Sequence, residues 1–215
     1  MAKFALVTDF DGTISDDDFF WHIADRYFDA EALKPWSEYL AGRINHIDAL
    51  NAIFARIHVP EGELLAFIDT IHLDASFTKL LDICRKKEIP VAVVSAGCDY
   101  YIQRLIGNKI SEYNIRLITN HGVYNRQNGL KMIPPYDSAY YDKAVGISKA
   151  AVVRELQKQG YEVIYAGDGP PDVESAKIAD VVFAKKTLLE RCRELGIKTH
   201  KFDSFQDIVH YLEDL

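Results

Sequence analysis

What narrows the fold most is a set of short, nearly continuous apolar runs rich in β-branched residues: Phe4–Thr8, Val91–Val94, Ile115–Thr119, Val163–Ala166 and Val181–Ala184. A strand with one wet face alternates apolar and polar residues. These runs do not, so each is predicted to lie in a parallel sheet buried on both faces. Helical patterns such as Phe77–Lys87, Lys149–Gln159 and Asp172–Ile178 separate them. Strands alternating with helices predict a doubly wound, Rossmann-like α/β core.

Two stretches break that rhythm. From Asp16 to Leu73 the apolar spacing is helical throughout, with stripes at Phe20, Ile23, Tyr27 and Phe28, at Leu50, Ile53, Phe54 and Ile57, and at Leu64, Phe67 and Ile71. This is far longer than an ordinary crossover. An all-helical cap domain over residues 16–73 is therefore predicted, inserted into a core made of residues 1–15 and 74–215. Its stripes and Trp36 are expected to form the insert's own core; burial of Trp21 and Trp36 in the bundle is the default, and an apolar pocket lined by them is the alternative. The second break, residues 120–146, contains Asn128-Gly129, a turn signal for a small β-hairpin that Pro134-Pro135 should end.

Composition removes several function classes. A formal net charge of −7 over 215 residues, with no dense basic block, argues against a nucleic-acid surface. Cys84, Cys98 and Cys192 form no CxxC pair, so neither a zinc site nor a disulfide framework is expected. No run reaches the ~18 apolar residues of a membrane helix, and the N-terminus lacks a signal peptide's apolar segment. A cytoplasmic protein without a membrane partner is the expectation.

The chemistry is concentrated where apolar runs end. In "LVTDFDGTIS", residues 6–15, Asp9 and Asp11 stand two apart at the end of the first run. Residues i and i+2 of an extended chain point the same way, so both carboxyls can face one site beyond the strand's carboxyl end. Open α/β sheets bind their ligands there. In "YAGDGPPD", residues 165–172, Asp168 ends another run, and Pro170-Pro171 suit a helix start with Asp172 in its first turn. With Asp9 and Asp11, Asp168 makes an all-oxygen site of the kind Mg²⁺ prefers. "VVSAG" ends the second run on Ser95, whose hydroxyl and the backbone N–H groups after it (Ala96, Gly97) can hold a phosphate oxygen or cap the next helix. Lys149 opens a helix, where a cation opposes the dipole unless an anion sits nearby.

These four segments, in this order, resemble the signature motifs of the haloacid-dehalogenase-type phosphatase superfamily, and the likeness spans essentially the whole chain. The helical insert resembles that superfamily's cap of the phosphoserine-phosphatase type. "TNHGVY", "GDGPPDVESAKIADVVFAK" and "LLERCRELGI" look similar to the branch that includes the methionine-salvage phosphatase for 2-hydroxy-3-keto-5-methylthiopentenyl-1-phosphate, and relatives that take phosphoethanolamine or phosphocholine. The resemblance implies a Mg²⁺-dependent phosphomonoesterase acting on a small phosphorylated metabolite. In it Asp9 would be the nucleophile and a metal ligand. Asp11 would be the general acid/base and would offer its backbone carbonyl to the metal. Asp168 would be a metal ligand, and Ser95, Ala96, Gly97 and Lys149 would hold the phosphoryl group. Asp172 would orient the metal shell and Lys149, and Asp18 would face the substrate from the cap. A phosphoserine, phosphoethanolamine or phosphocholine phosphatase, a phosphotransferase, a pyrophosphatase or a non-catalytic receiver-like module are the alternatives.

Overall fold

The structure, a computed structural model, describes residues 3–215. Strand β1 (Lys3–Thr8) leads into four helices, α1 (Phe19–Tyr27), α2 (Lys34–Leu40), α3 (His46–Phe54) and α4 (Glu61–Ile68). The chain returns through α5 (Phe77–Lys86), β2 (Val91–Cys98), α6 (Asp99–Tyr113), β3 (Arg116–Asn125) and β4 (Gly129–Ile133). A short ribbon of β5 (Tyr141–Asp142) and β6 (Gly146–Ile147) precedes α7 (Lys149–Lys158) and β7 (Tyr161–Gly167). After a 3-10 turn at Pro170–Asp172 come α8 (Val173–Ala176), β8 (Val181–Ala184), α9 (Lys186–Glu194), β9 (His200–Lys201) and α10 (Phe205–Glu213). Among the described residues no helix is long and apolar enough to cross a membrane.

The sheet order is β4-β3-β2-β1-β7-β8-β9, with every pairing parallel except β3 with β4. The α/β expectation holds, and β1 is central. Its Leu6 packs into an apolar cluster with Phe10, Phe77 and Phe205, while Ala5 and Val7 pack on the other face with Val152, Val153 and Leu188. Burial on both faces is why the run does not alternate. Helix ends follow local chemistry: Ser148 and Asn45 cap α7 and α3 by accepting from the backbone N–H groups of Ala151 and Asp48.

Two strands outrun their sequence signal. Strand β2 continues to Cys98 through a register shift after Val94, and β3 runs on to Asn125 because its outer half pairs with the hairpin strand β4. Asn128-Gly129 does turn that hairpin, with Asn125 facing Gly129, and β4 ends before Pro134. Strand β9 and the β5–β6 ribbon, two residues per strand, are too short for periodicity to reveal.

The chain leaves and re-enters the core through a paired stem, with Ser15 bridged antiparallel to Leu73 and the Asp74 N–H bonded to Ile14 O at 2.8 Å. Ile23, Ile53, Phe54, Ile57 and Leu64 are buried among the inserted helices. The tryptophans are less so: Trp36 is only partly buried against that cluster, and the default of burial in the bundle gives way to the pocket alternative. No residue of α2 is buried, Trp21 is 39% exposed, and both Trp21 and Trp36 line a cavity facing the core. Trp36 stacks on Phe20 at 4.3 Å between ring centroids.

Candidate active site

The carboxyl end of the sheet and the helical insert enclose a cavity of about 400 Å³. Asp9, Asp11, Ser95, Ala96, Gly97, Lys149 and Asp168 line its floor, and Asp17, Asp18, Trp21, Trp36 and His46 line the insert side. Residues separated by up to 159 positions thus meet because β1, β2 and β7 are parallel neighbours whose ends coincide.

Asp9 and Asp11 share the site but not their partners. The Asp9 carboxylate accepts from the Phe10 N–H at 2.7 Å and pairs with Lys149 Nζ at 2.6 Å. Burial, and then the Asp172 charge, push its carboxyl well above the usual range, while Lys149 pulls the other way. Asp11 instead accepts from Tyr101 OH at 2.6 Å, Ser95 Oγ at 2.8 Å and the Phe19 N–H at 3.2 Å. Burial raises its carboxyl and those three donors lower it.

Asp172 is fully buried, and its oxygens accept from Lys149 Nζ (2.7 Å), Tyr165 OH (2.5 Å) and the N–H groups of Asp168 (3.0 Å) and Gly169 (2.9 Å). Burial works against the Lys149 charge, but Asp172 and Asp9 outweigh it, so the ammonium is held more firmly protonated than a free lysine. That answers the helix-dipole objection to Lys149: its charge is neutralised by side chains before any ligand arrives. Asp168 accepts from Thr13 Oγ1 at 2.9 Å and lies 3.4 Å from Lys186 Nζ. Burial and Asp172 raise its carboxyl.

Oxygens of Asp9, Asp168 and Asp172 lie within 4.8 Å of one another, the one such cluster among the described residues. Three buried carboxylates against one fully buried ammonium leave the site short of positive charge. A hard cation fits that deficit and that donor set.

Ser95 does not cap the next helix; Cys98 holds the position before α6. Its hydroxyl donates to Asp11 and accepts from the Gly97 N–H at 2.8 Å. Beyond it, Asn120 Nδ2 holds the Ala96 and Gly97 carbonyls at 2.8 and 3.0 Å, and Thr119 Oγ1 holds the latter at 2.9 Å. Gly97 cannot carry a side chain here, since a Cβ would overlap the Tyr101 hydroxyl. Tyr101, Tyr165 and Asn120 were missed in the sequence. A tyrosine inside an apolar run, as in "VIYAGD", is the single hint, because a buried hydroxyl requires a partner.

The sequence matches the haloacid dehalogenase-like hydrolase family over residues 6–177. The chain belongs to that family. It is 29% identical over 216 residues to the 2-hydroxy-3-keto-5-methylthiopentenyl-1-phosphate phosphatase of Geobacillus kaustophilus, covering 98% of this chain and 96% of that one. It is 28% identical to a polyol phosphate phosphatase of Saccharomyces cerevisiae, covering 97% and 92%. A solved phosphoserine phosphatase, a phospho-aspartyl intermediate analogue, shares its fold with a TM-score of 0.71 at 18% identity, covering 98% and 99%.

Proposed function

We propose that this hydrolase cleaves the phosphomonoester of a small metabolite through an aspartyl-phosphate formed on Asp9, with Mg²⁺ as cofactor and residues 16–73 acting as a cap. The observation that supports this reading best is the division of labour between Asp9 and Asp11. One carboxylate faces Lys149, the other sits among neutral hydrogen-bond donors where it can gain and lose a proton.

Asp9 attacks phosphorus as the bond to the leaving alcohol breaks, and Asp11 gives its proton to the departing oxygen. Asp11 then takes a proton from a water that attacks the phosphorus, releasing phosphate and restoring Asp9. Lys149, positioned by Asp172, offsets charge on the phosphoryl oxygens, and Ser95 with the Ala96–Gly97 backbone positions them. Asp9, Asp168 and the Asp11 carbonyl would hold Mg²⁺, with Asp172 orienting the set. When bound, Mg²⁺ supplies the positive charge that keeps Asp9 ionised and screens its approach to a phosphate dianion.

The names of the relatives support a short phosphorylated substrate, and a cavity of about 400 Å³ accommodates one. Phosphate release measured over a panel of phosphorylated metabolites tests the reading. Asp9→Asn is expected to lose at least about 10³-fold in kcat while keeping the parent circular dichroism spectrum. Excess EDTA is expected to silence the parent and Mg²⁺ to restore it. Asp9→Asn turning over at more than a few per cent of the parent, or full activity in EDTA, refutes the assignment.

A further inference from the structure

Behind the cavity wall stands Asn120, an amide with no exposed surface in the middle of β3. Its two ends are treated differently. Nδ2 donates to the Ala96 and Gly97 carbonyls at 2.8 and 3.0 Å, while Oδ1 is enclosed and meets no hydrogen-bond partner among the described residues. Turning the amide over would set Oδ1 against two carbonyl oxygens, so the orphaned acceptor is the cheaper arrangement. The fold retains a polar group that it satisfies only by half, and what the donors accomplish must offset that.

Their effect follows from the planarity of the peptide. The carbonyl of Ala96 and the N–H of Gly97 belong to one trans unit and point in opposite directions. Holding that carbonyl from behind therefore aims the N–H forward, where it meets Ser95 Oγ at 2.8 Å. The hydroxyl accepts there, so its own proton is directed to Asp11 Oδ2 at 2.8 Å. One chain of donors runs from Asn120 through the peptide and Ser95 to Asp11, and each bond polarises the next. Thr119 Oγ1 braces the following carbonyl, that of Gly97, at 2.9 Å.

The other side of the amide meets the ribbon that leads to Lys149. Gly146 of β6 has a φ of +82°, and a Cβ there would overlap the Asn120 amide. Three residues on, Lys149 opens α7. The turn of the ribbon also reaches the insert, since the Ala144 carbonyl accepts from the His46 N–H at 3.2 Å. Asn120 is wedged between the two segments that supply Ser95 and Lys149.

We propose that Asn120 is a positioning residue for the phosphate grip: it fixes the Ser95 hydroxyl through the Ala96–Gly97 peptide, and its contact with Gly146 sets how far Lys149 stands from that hydroxyl. This rests on the phosphomonoesterase reading and adds to it a residue outside the lining of the cavity.

Inorganic phosphate with Mg²⁺ is the probe, titrated by calorimetry and as a competitive inhibitor. Asn120→Ala, which loses both donors, is expected to weaken phosphate binding about tenfold. Asn120→Asp, equal in size, presents an acceptor to both carbonyls and should weaken it at least as much. Asn120→Ser keeps one donor and serves if neither of these folds, with a loss of at least about threefold expected. Leu80→Ala, a buried substitution in α5, also lowers stability but should leave phosphate binding within about twofold of the parent. Gly146→Ala should weaken binding as well. Combined with Asn120→Ala it should fall short of the product of the single effects, because the methyl then meets no amide. Phosphate binding within about twofold of the parent in Asn120→Ala, or a loss matched by Leu80→Ala, overturns the proposal. A double variant at the full product overturns the link to Lys149. Binding that depends on Asn120 without phosphate release from any ester refutes the hydrolase reading and leaves the grip assigned; release with binding indifferent to Asn120 does the reverse.

Discussion

Replacing Asp172 with alanine removes an acceptor that four donors share, two of them the N–H groups that shape the turn after β7. No part of that carboxylate reaches solvent. Hydrogen bonds to a charged group contribute about 1.5–3 kcal/mol each, but four such losses do not add, because the tyrosine and the turn can shift into the vacated space. The larger item is Lys149, left buried against Asp9 alone. Breaking a buried ion pair from one side costs about 3–5 kcal/mol. For a chain of this length that lowers the unfolding midpoint by roughly 6–20 °C. Lys149→Met is expected to cost about as much, since it leaves Asp9 and Asp172 facing each other without a counter-ion. The double variant still leaves Asp9 without its counter-ion, but it loses the Lys149–Asp172 interaction once where the two single variants count it twice, so its cost should fall short of the sum by about 2 kcal/mol. Urea unfolding at pH 7 in chelator, followed by far-ultraviolet circular dichroism, measures all three. Additivity within about 0.5 kcal/mol, or an Asp172→Ala cost below about 1 kcal/mol, would show that the network does not hold Lys149 in the way described.

Tyr101→Phe removes a donor that lowers the Asp11 carboxyl, so Asp11 keeps its proton to higher pH. The alkaline limb of the kcat–pH profile should move up by as much as about one unit, and an unmoved limb or one moving down contradicts the acid role. Asp18 is raised from 3.8 to about 7, by burial first and then by Asp11, Asp168 and Asp17. A raised carboxyl binds its proton more tightly when folded, so ionising it as pH climbs from about 4 to 7 subtracts stability, which Asp18→Asn avoids. In chelator the variant's advantage should grow across that window, to at most roughly 4 kcal/mol, and stay level above it. An advantage independent of pH refutes the burial of that charge.

The parallel core was legible because burial on both faces writes itself into a strand as an unbroken apolar run, and β1, β7 and β8 carry such runs. Asp9, Asp11, Asp168 and Lys149 were legible for a related reason: each sits where a strand ends or a helix begins, and the topology brings those places together. Tyr101, Tyr165 and Asn120 were not, since each acts through a partner far away in sequence or through a turn whose shape the sequence does not state. Trp36 misled because an aromatic stripe at helical spacing reads the same whether it meets a bundle interior or a cavity wall. His46 carried no signal at all. Its enclosed Nδ1 without a hydrogen-bond partner is a property of the packed fold.

The inserted helices and the Asp11 carboxyl are mechanically linked. The backbone N–H of Phe19, the first residue of α1, donates to Asp11, and the Phe19 ring stacks on Tyr101 at 4.1 Å while the Tyr101 hydroxyl holds the same carboxylate. On the far side, Asn51 imitates a strand edge, accepting from the Met132 N–H at 2.7 Å and donating to its carbonyl at 3.0 Å, and so ties α3 to β4. Arg104 of α6 grips Asp69, just past α4, through two nitrogens. Any motion that opens the cavity by lifting α1 must give up the Phe19 bond and disturb the stacked tyrosine. Asp11 would then lose the Phe19 N–H, one of the three donors that lower its carboxyl, and its proton affinity would rise. Under the proposed mechanism the seating of α1 and the readiness of Asp11 are coupled, because Phe19 bonds the carboxylate and its ring packs on the tyrosine that does the same.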